Sequence, residues 1–259
     1  MAGEAAIAQA SDHVFTLNRH MAGEWSRRGV SSSKISLMPN GLDRTPNDMT
    51  EPNRKLLGQL GLAGSKVIAY VGSFSVYEGL DDLIRAFALA RQHGLEARLL
   101  LLGSLTPAGN SSLPCERLGV LSDLVLELGL ANQVVVAGRV APEVLPSYFS
   151  FIDLMVVPRK PDLVCELVSP LKPMEAVANG TQLLLSSVAP LADLKSLGSG
   201  VHYFEKGSVR NLAHKLVEIL SKPTPARCPR SLYPGIEDFL WSRSVQPLLN
   251  QLNKAPRRF

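Results

Sequence analysis

The sequence predicts an α/β protein organised around a doubly wound parallel sheet, and three observations point that way. Short, continuous apolar runs of strand length recur along the chain, as in parallel strands buried on both faces. Amphipathic stretches of helical period separate them, and repeated β-α-β units of this kind imply right-handed crossovers. The composition, 46% hydrophobic and 19% charged over 259 residues, supports a large core and is far from that of a disordered chain. At roughly 150 residues per domain the length corresponds to about 1.7 domains.

In order, the strand candidates are His13–Leu17, Lys34–Met38, Val67–Val71, Arg98–Leu102, Gln133–Val136, Leu154–Val157, Gln182–Ser186 and Val201–Phe204. A helix is expected over about Asn18–Arg28 and a short one over about Pro52–Leu60. In Glu78–His93 the residues Leu80, Leu83, Ile84 and Phe87 recur at i, i+3, i+4 and i+7, one face of a helix. In Ser208–Leu220 the apolar set is Val209, Leu212, Ala213, Leu216, Val217 and Leu220, with Ser208 as the expected N-cap. A last helix is expected over about Ile236–Leu252, with a kink or break at Pro247.

These elements fall into unequal parts. Residues 1–43 supply one strand, one helix and one strand, ending in Pro39-Asn40-Gly41-Leu42-Asp43. A single such unit cannot bury both its faces, so it is expected to be the tail of a domain whose main part is missing. Residues 44–65 read as a polar linker and short helix. Residues 66–221 form a fresh βαβ series, and residues 222–259 a proline-rich linker, with four prolines between Lys222 and Pro234, followed by the last helix.

Several function classes are excluded at this level. No apolar run approaches the ~20 residues of a membrane-spanning helix. Lysine and arginine exceed aspartate and glutamate by four charges, too diffuse an excess for a nucleic-acid footprint, although it leaves room for peripheral contact with an anionic membrane surface. Cys115, Cys165 and Cys228 share no metal-binding or CxxC spacing, which favours a reducing compartment over a disulfide scaffold. The N-terminus lacks the pattern of a signal peptide, so a cytoplasmic location is expected. The five histidines are unrelated in spacing and predict no metal site. Ser186-Ser187 lacks the GxSxG elbow of serine hydrolases.

The densest candidate for chemistry is VVPRKPDLVCELVSPLKPMEAVANG, from Val156 to Gly180. A buried strand ends at Val157, and a loop with Arg159, Lys160 and Glu166 follows. Ser169-Pro170 then has the character of an N-cap followed by a proline in the first helical position. That would set free backbone N–H groups at the C-terminal edge of the sheet, where α/β proteins bind ligands. Lys172 and Glu175 would share a side of this helix. A cation and amide donors beside a carboxylate suit a sugar nucleotide, with the diphosphate on the donors and the ribose on the carboxylate; the plain alternative is an ordinary surface Lys–Glu pair. The second candidate, Val71-Gly72-Ser73-Phe74 through Gly79-Leu80, has the strand–turn–helix form of a phosphate or acceptor loop without any GxGxxG or P-loop pattern. A plain βα turn is the favoured reading there unless other segments add support. Gly138-Arg139-Val140 either presents backbone groups to a nucleobase or is an ordinary turn.

The order of four segments carries more than any one of them. ASDHVFTLNRHMAGEWSRRGVSSSKISLMPNGLD, then VIAYVGSFSVYEGLDDLIRAFALA, then VVVAGRVAPEVLPSYFSFIDLMVVP, then ELVSPLKPMEAVANG resemble the C-terminal half of glycosyltransferase family 4 enzymes. The variants YEGLD and ELVSPLKPMEA look like an exopolysaccharide-associated bacterial branch of that family. The resemblance implies a GT-B fold, two Rossmann-like domains with the active site between them, of which the C-terminal one holds the nucleotide-sugar donor. It also implies a retaining, metal-independent transferase. Glu175 matches the second glutamate of the family's paired motif, expected at the ribose. Glu166 matches the first, expected near the donor sugar, with one intervening residue more than the usual motif. The backbone of Ser169, Pro170 and Leu171 would meet the diphosphate, Gly72 and Ser73 would line the cleft, and Arg139-Val140 would flank the base.

Two departures matter for the chemistry. Ser73 and Glu78 occupy the places where many relatives carry an Arg and a Lys that neutralise the diphosphate. Lys172 is the first expected substitute for them, with Arg159 or Lys160 second. The larger departure is the expected absence of most of the N-terminal domain. The leading expectation is therefore a transferase moving sugar from a nucleotide donor, a substrate rather than a cofactor, to a glycan or lipid-linked acceptor. The alternatives are a donor-binding module whose partner chain supplies the other domain, and, less favoured, a sugar-nucleotide epimerase of similar fold.

Overall fold

The computed structural model describes residues 2–43, 51–104, 114–222 and 229–254. All eight expected strands are present: β1 Val14–Thr16, β2 Ile35–Leu37, β3 Lys66–Ser73, β4 Ala97–Ser104, β5 Val134–Gly138, β6 Leu154–Val157, β7 Gln182–Ser186 and β8 Val201–Phe204. The helices, in chain order, are α1 Ala2–Ala10, α2 Arg19–Arg27, α3 Arg54–Gln59, α4 Leu80–Gln92, α5 Pro114–Glu127, α6 Leu145–Phe149 and α7 Leu163–Leu167. They continue with α8 Lys172–Ala178, α9 Ala189–Ala192, α10 Val209–Leu220, α11 Pro229–Leu232, α12 Trp241–Ser244 and α13 Gln246–Lys254.

Six strands form one sheet in the order β5-β4-β3-β6-β7-β8, every pair parallel. Counted from β3, this is the order 3-2-1-4-5-6 of two βαβαβ halves, and the order reverses between β3 and β6, where such sheets bind ligands. Alternation along the strands assigns the faces. Ile68, Tyr70, Leu99, Leu101 and Val156 pack with Leu83, Ile84 and Phe87 of α4 and Leu212 and Leu216 of α10. Val67, Ala69, Val71, Leu100, Leu102, Met155 and Val157 pack on the other face with Met174 and Val177 of α8 and with the C-terminal segment. Strands covered on both faces have no polar side, which is why they read as unbroken apolar runs. The expected cap of α10 is present, with Ser208 Oγ accepting from the Asn211 amide at 3.2 Å.

The strand–helix–strand unit of residues 1–43 forms its own two-stranded parallel sheet, Val14 opposite Ile35 and Thr16 opposite Leu37. It is tied to the rest at several points. Leu42 bridges Leu240, and the Leu42 amide donates to Phe239 O at 2.7 Å. Asp193 receives both Arg19 and, at 3.0 Å, His20.

Three expectations change. The helix of the VSPLKPMEA segment starts at Lys172 rather than at Ser169-Pro170, with Leu171 in the N-cap position and no side-chain cap; Pro173, not Pro170, occupies its first turn. The expected linker contains core, because Leu232 and Tyr233 are buried and Tyr233 Oη donates to Thr181 O at 2.6 Å, while residues 223–228 lie outside the described part. The C-terminal helix is three pieces, a 3-10 turn Ile236–Phe239 followed by α12 and α13. Pro247 lies in the first turn of α13, where its missing N–H leaves no bond unmade.

Candidate functional site

At the C-terminal edge of β3 and β4, Gly72 and Gly103 lie side by side in register. Neither position has room for a side chain. A Cβ on Gly72 would stand 2.6 Å from Tyr70 Oη, and one on Gly103 would stand 1.7 Å from the Gly72 carbonyl oxygen. Gly103 also has φ +155, where L-residues are strained. Two adjacent glycines at the ends of central strands make a floor on which a ligand can touch backbone directly. Over this floor lies a cleft of about 250 Å³ lined by Val71, Gly72, Ser73, Leu102, Gly103, Arg139, Val140, Pro142, Leu145 and Lys172. The β3 loop is braced from below by Tyr70, whose hydroxyl donates to Ser73 O at 2.6 Å. Burial, with Glu78 adding to it, pushes the Tyr70 phenol well above its usual range, so it stays a neutral donor.

Five of the sequence-derived residues meet here: Gly72, Ser73, Arg139, Val140 and Lys172. Glu175 does not line the cleft but holds the residue that does, Lys172 Nζ lying 2.9 Å from Glu175 Oε2 and 3.1 Å from Oε1. Both side chains are a little over one third exposed, so the pair is half-solvated and open to exchange.

The remaining expected residues are placed otherwise. Arg159 is buried and donates to Glu78 Oε1 at 2.9 Å and to Val168 O at 2.7 Å. Its charge neutralises Glu78 and is withdrawn from any ligand. Lys160 is held by Asp81 at 2.6 Å, with Asp82 at 3.8 Å. Both second-choice cations are thus framework. Glu166, in α7, accepts the Ala189 amide at 2.9 Å through one carboxylate oxygen and Lys206 through the other. Burial acts to raise its pKa, but Lys206 and the Ala189 amide outweigh that, and it titrates below the ordinary carboxylate value. It straps α7 to the segments after β7 and β8 instead of facing the cleft. Cys165 is buried beside it, its thiol pushed up to about 11 chiefly by burial, as expected of a structural residue.

The amide-rich mouth also has fewer donors than the sequence suggested. Pro170 and Pro173 carry no N–H, and the amides of Met174 and Glu175 close onto Leu171 O at 3.0 and 3.3 Å. That leaves Ser169, Leu171 and Lys172 to offer amides at the turn. The Ser169 hydroxyl is engaged: it accepts from Asn18 at 2.9 Å. The sequence reading missed Gly103, although Leu102-Gly103-Ser104 repeats the Val71-Gly72-Ser73 ending of the neighbouring strand. It also missed Pro142 and Leu145, which carry no pattern beyond being apolar. Among the described residues no group of three or more His, Cys, Asp or Glu is arranged to hold a metal ion, and no helix is long and apolar enough to cross a membrane.

Strand order, with a glycine-floored cleft over β3 and β4 beside the reversal, defines a Rossmann-like fold. Residues 54–231, well over half of the chain, match the family described as glycosyl transferases group 1, and the chain belongs to that family. Its fold is that of GT-B glycosyltransferases. Sucrose-phosphate synthase from Thermosynechococcus elongatus superposes with a TM-score of 0.74 and 26% identity over 98% of this chain and 61% of that one. Anabaena HepE in complex with UDP-glucose superposes with a TM-score of 0.81 over 98% of this chain and 68% of that one; at 18% identity the likeness is one of fold. In sequence the chain is similar to the D-inositol 3-phosphate glycosyltransferases of Nocardiopsis dassonvillei, 27% identical over 94% of this chain and 54% of the relative, and of Gordonia bronchialis, 25% identical over 99% and 55%. The chain spans about half the length of these relatives.

Proposed function

We propose that the cleft is the nucleotide-sugar donor site of a glycosyltransferase. The observation that carries this reading is the backbone floor of Gly72 and Gly103 at the C-terminal edge of β3 and β4, beside the switch point, with Arg139 and Lys172 on its rim. Ligand pockets enclose about 300–1,000 Å³, so a cleft of about 250 Å³ suits the nucleoside end, and the diphosphate extends along the rim. Arg139 and Val140 flank the base, Gly72 and Ser73 approach the phosphates, and Lys172 turns from Glu175 to the diphosphate, freeing the carboxylate for ribose hydroxyls. Lys172 then stabilises charge on the departing diphosphate. The reaction is a metal-independent, front-side displacement with retention, in the manner of glycosyltransferase family 4.

The acceptor is a glycan or a lipid-linked sugar of exopolysaccharide synthesis, a peripheral reaction at a membrane surface on the cytoplasmic side. Relatives named D-inositol 3-phosphate glycosyltransferase make a phosphorylated small acceptor the competing choice. Residues 1–43 are the closing piece of an acceptor-side Rossmann-like domain. The test is thermal protection of the chain by UDP, GDP and ADP, followed by calorimetry on Glu175→Ala. Protection by one nucleotide and weaker binding by the variant at unchanged stability support the reading; a folded chain that none of the three protects overturns it.

A second reading is a donor-binding module inactive by itself, completed by a partner chain. It is favoured by the engagement of Glu166, Arg159 and Lys160 in internal pairs, which leaves the cleft few groups for chemistry. Hydrolysis and transfer assays on the chain alone and with candidate partner chains separate the two.

A further inference from the structure

Lys172 owes its position to the segment before it, and that segment is held by side chains from distant parts of the chain. Residues 168–171 are neither helix nor strand and join two short helices, α7 of five residues and α8 of seven. A path without regular hydrogen bonds keeps its conformational entropy unless it is fixed from outside. Asn18 Nδ2 donates to Leu167 O at 2.8 Å and to Ser169 Oγ at 2.9 Å. Arg159 donates to Val168 O at 2.7 Å, and Asn40 Nδ2 to Ser169 O at 3.4 Å. None of the three lines the cleft.

Asn18 is buried and plays a second part, since its Oδ1 accepts the Met21 amide at 2.9 Å as the N-cap of α2. Ser and Asp cap helices about as well as Asn. Neither offers an acceptor together with two amide protons at that length. The choice of asparagine is therefore explained by the donors that face residues 167 and 169.

We infer that Asn18, supported by Arg159 and Asn40, is a positioning residue that sets where Lys172 enters the cleft. It thereby couples the strand–helix–strand unit of residues 1–43 to the phosphate side of the donor site. The inference rests on the donor-site reading above.

The experiment uses the full chain as wild type, Asn18→Asp and Asn18→Ser. Both variants keep the cap and remove the donors, and Ser serves if Asp, with its carboxylate against Leu167 O, fails to fold. Calorimetry compares UDP, GDP and ADP with uridine, guanosine and adenosine. The expected result is a loss of about tenfold in nucleoside diphosphate affinity, the scale of one to two lost hydrogen bonds, with nucleoside affinity held within about twofold. In a Lys172→Ala background Asn18→Ser should add nothing further, because the residue acts through Lys172. Unchanged diphosphate affinity in the variants, equal losses for nucleoside and diphosphate, or a full effect persisting in Lys172→Ala would each overturn the inference alone. A wild-type chain that binds none of the six ligands would instead overturn the reading of the cleft, and this inference with it.

Discussion

Breaking the Glu78–Arg159 pair should be among the most damaging single changes in this protein. Glu78 ends the β3 loop and Arg159 follows β6, so the pair spans the point where the strand order reverses. Their side chains are 9% and 8% exposed, at 2.9 Å, so little solvent screens them. In Arg159→Met the aliphatic volume is kept, but a buried carboxylate is left beside Tyr70 without its counter-ion, and Val168 O loses its donor. Removing one partner of a buried pair costs about 3–5 kcal/mol. At about 2–4 °C per kcal/mol for a domain of 150–250 residues, the melting temperature should fall by about 6–20 °C. Glu78→Gln should cost less, since an amide still accepts from the guanidinium. The double variant Arg159→Met/Glu78→Met should recover about half or more of the Arg159→Met loss, because no uncompensated charge remains. Urea denaturation of the wild type, both single Met variants and the double variant gives the coupling energy. A cost under about 1 kcal/mol for Arg159→Met, or a double variant no more stable than the single one, would refute a dry, mutually dependent pair.

Three further outcomes are expected. Gly103→Ala should destabilise by about 2 kcal/mol or more in a thermal melt, since its Cβ would meet the Gly72 backbone rather than a movable side chain. Gly23→Ala should do the reverse: the residue is exposed within α2 with nothing within 4 Å of the added carbon, so about 0.5–1 kcal/mol of stabilisation is expected, read as a higher urea midpoint. His202 lies in β8, its Nε2 3.1 Å from Gln182 Oε1 of β7, and its pKa is lowered below 6.5, first by burial and then by Lys222 against the opposing Glu218. Below pH 6.5 the unfolded chain binds the proton first, so stability should decline as pH falls from 6.5 through the folded value. His202→Gln should flatten that part of a melting-temperature profile, and an unaltered slope would assign it to other groups.

The fold was more legible than the site, for a physical reason. Each strand of the large sheet's centre is buried on both faces, so the requirement for apolar residues is local and shows as an unbroken run, as in Leu99–Leu102. Strand–helix alternation then restricts the topology to few choices. The charged residues followed no such local rule. Arg159, Lys160 and Glu166 read as ligand-facing because they cluster beside a strand end, yet their partners, Glu78, Asp81 and Lys206, lie 81, 79 and 40 positions away. Nothing in the neighbouring residues distinguishes a cation reserved for a ligand from one already paired. The start of α8 was misplaced for a related reason: Ser169 has the composition of an N-cap, but its hydroxyl was claimed by Asn18, 151 positions earlier. Gly103 was readable in principle, since two neighbouring parallel strands both end in Gly-Ser and register places the two glycines together.

These placements constrain how the proposed donor site handles charge. Two cations, Arg139 and Lys172, line the cleft, and Glu175 offsets one of them until a ligand draws Lys172 away. Separating that pair is inexpensive, because a half-exposed Lys–Glu contact is worth about 0–1 kcal/mol, whereas separating Arg159 from Glu78 is not. Arg159 therefore cannot be recruited to a diphosphate as Lys172 can, although it lies in the same loop region. On the donor-site reading, Lys172 is the charge drawn from a partner, Arg139 an exposed one at the cleft, and Arg159 part of the frame that keeps the segment between Leu167 and Lys172 in place. Two cations only partly offset the charge of a diphosphate leaving group. On the same reading the rest of the stabilisation falls to other groups at this rim, where the segment held by Asn18 and Asn40 ties the cleft to residues 1–43.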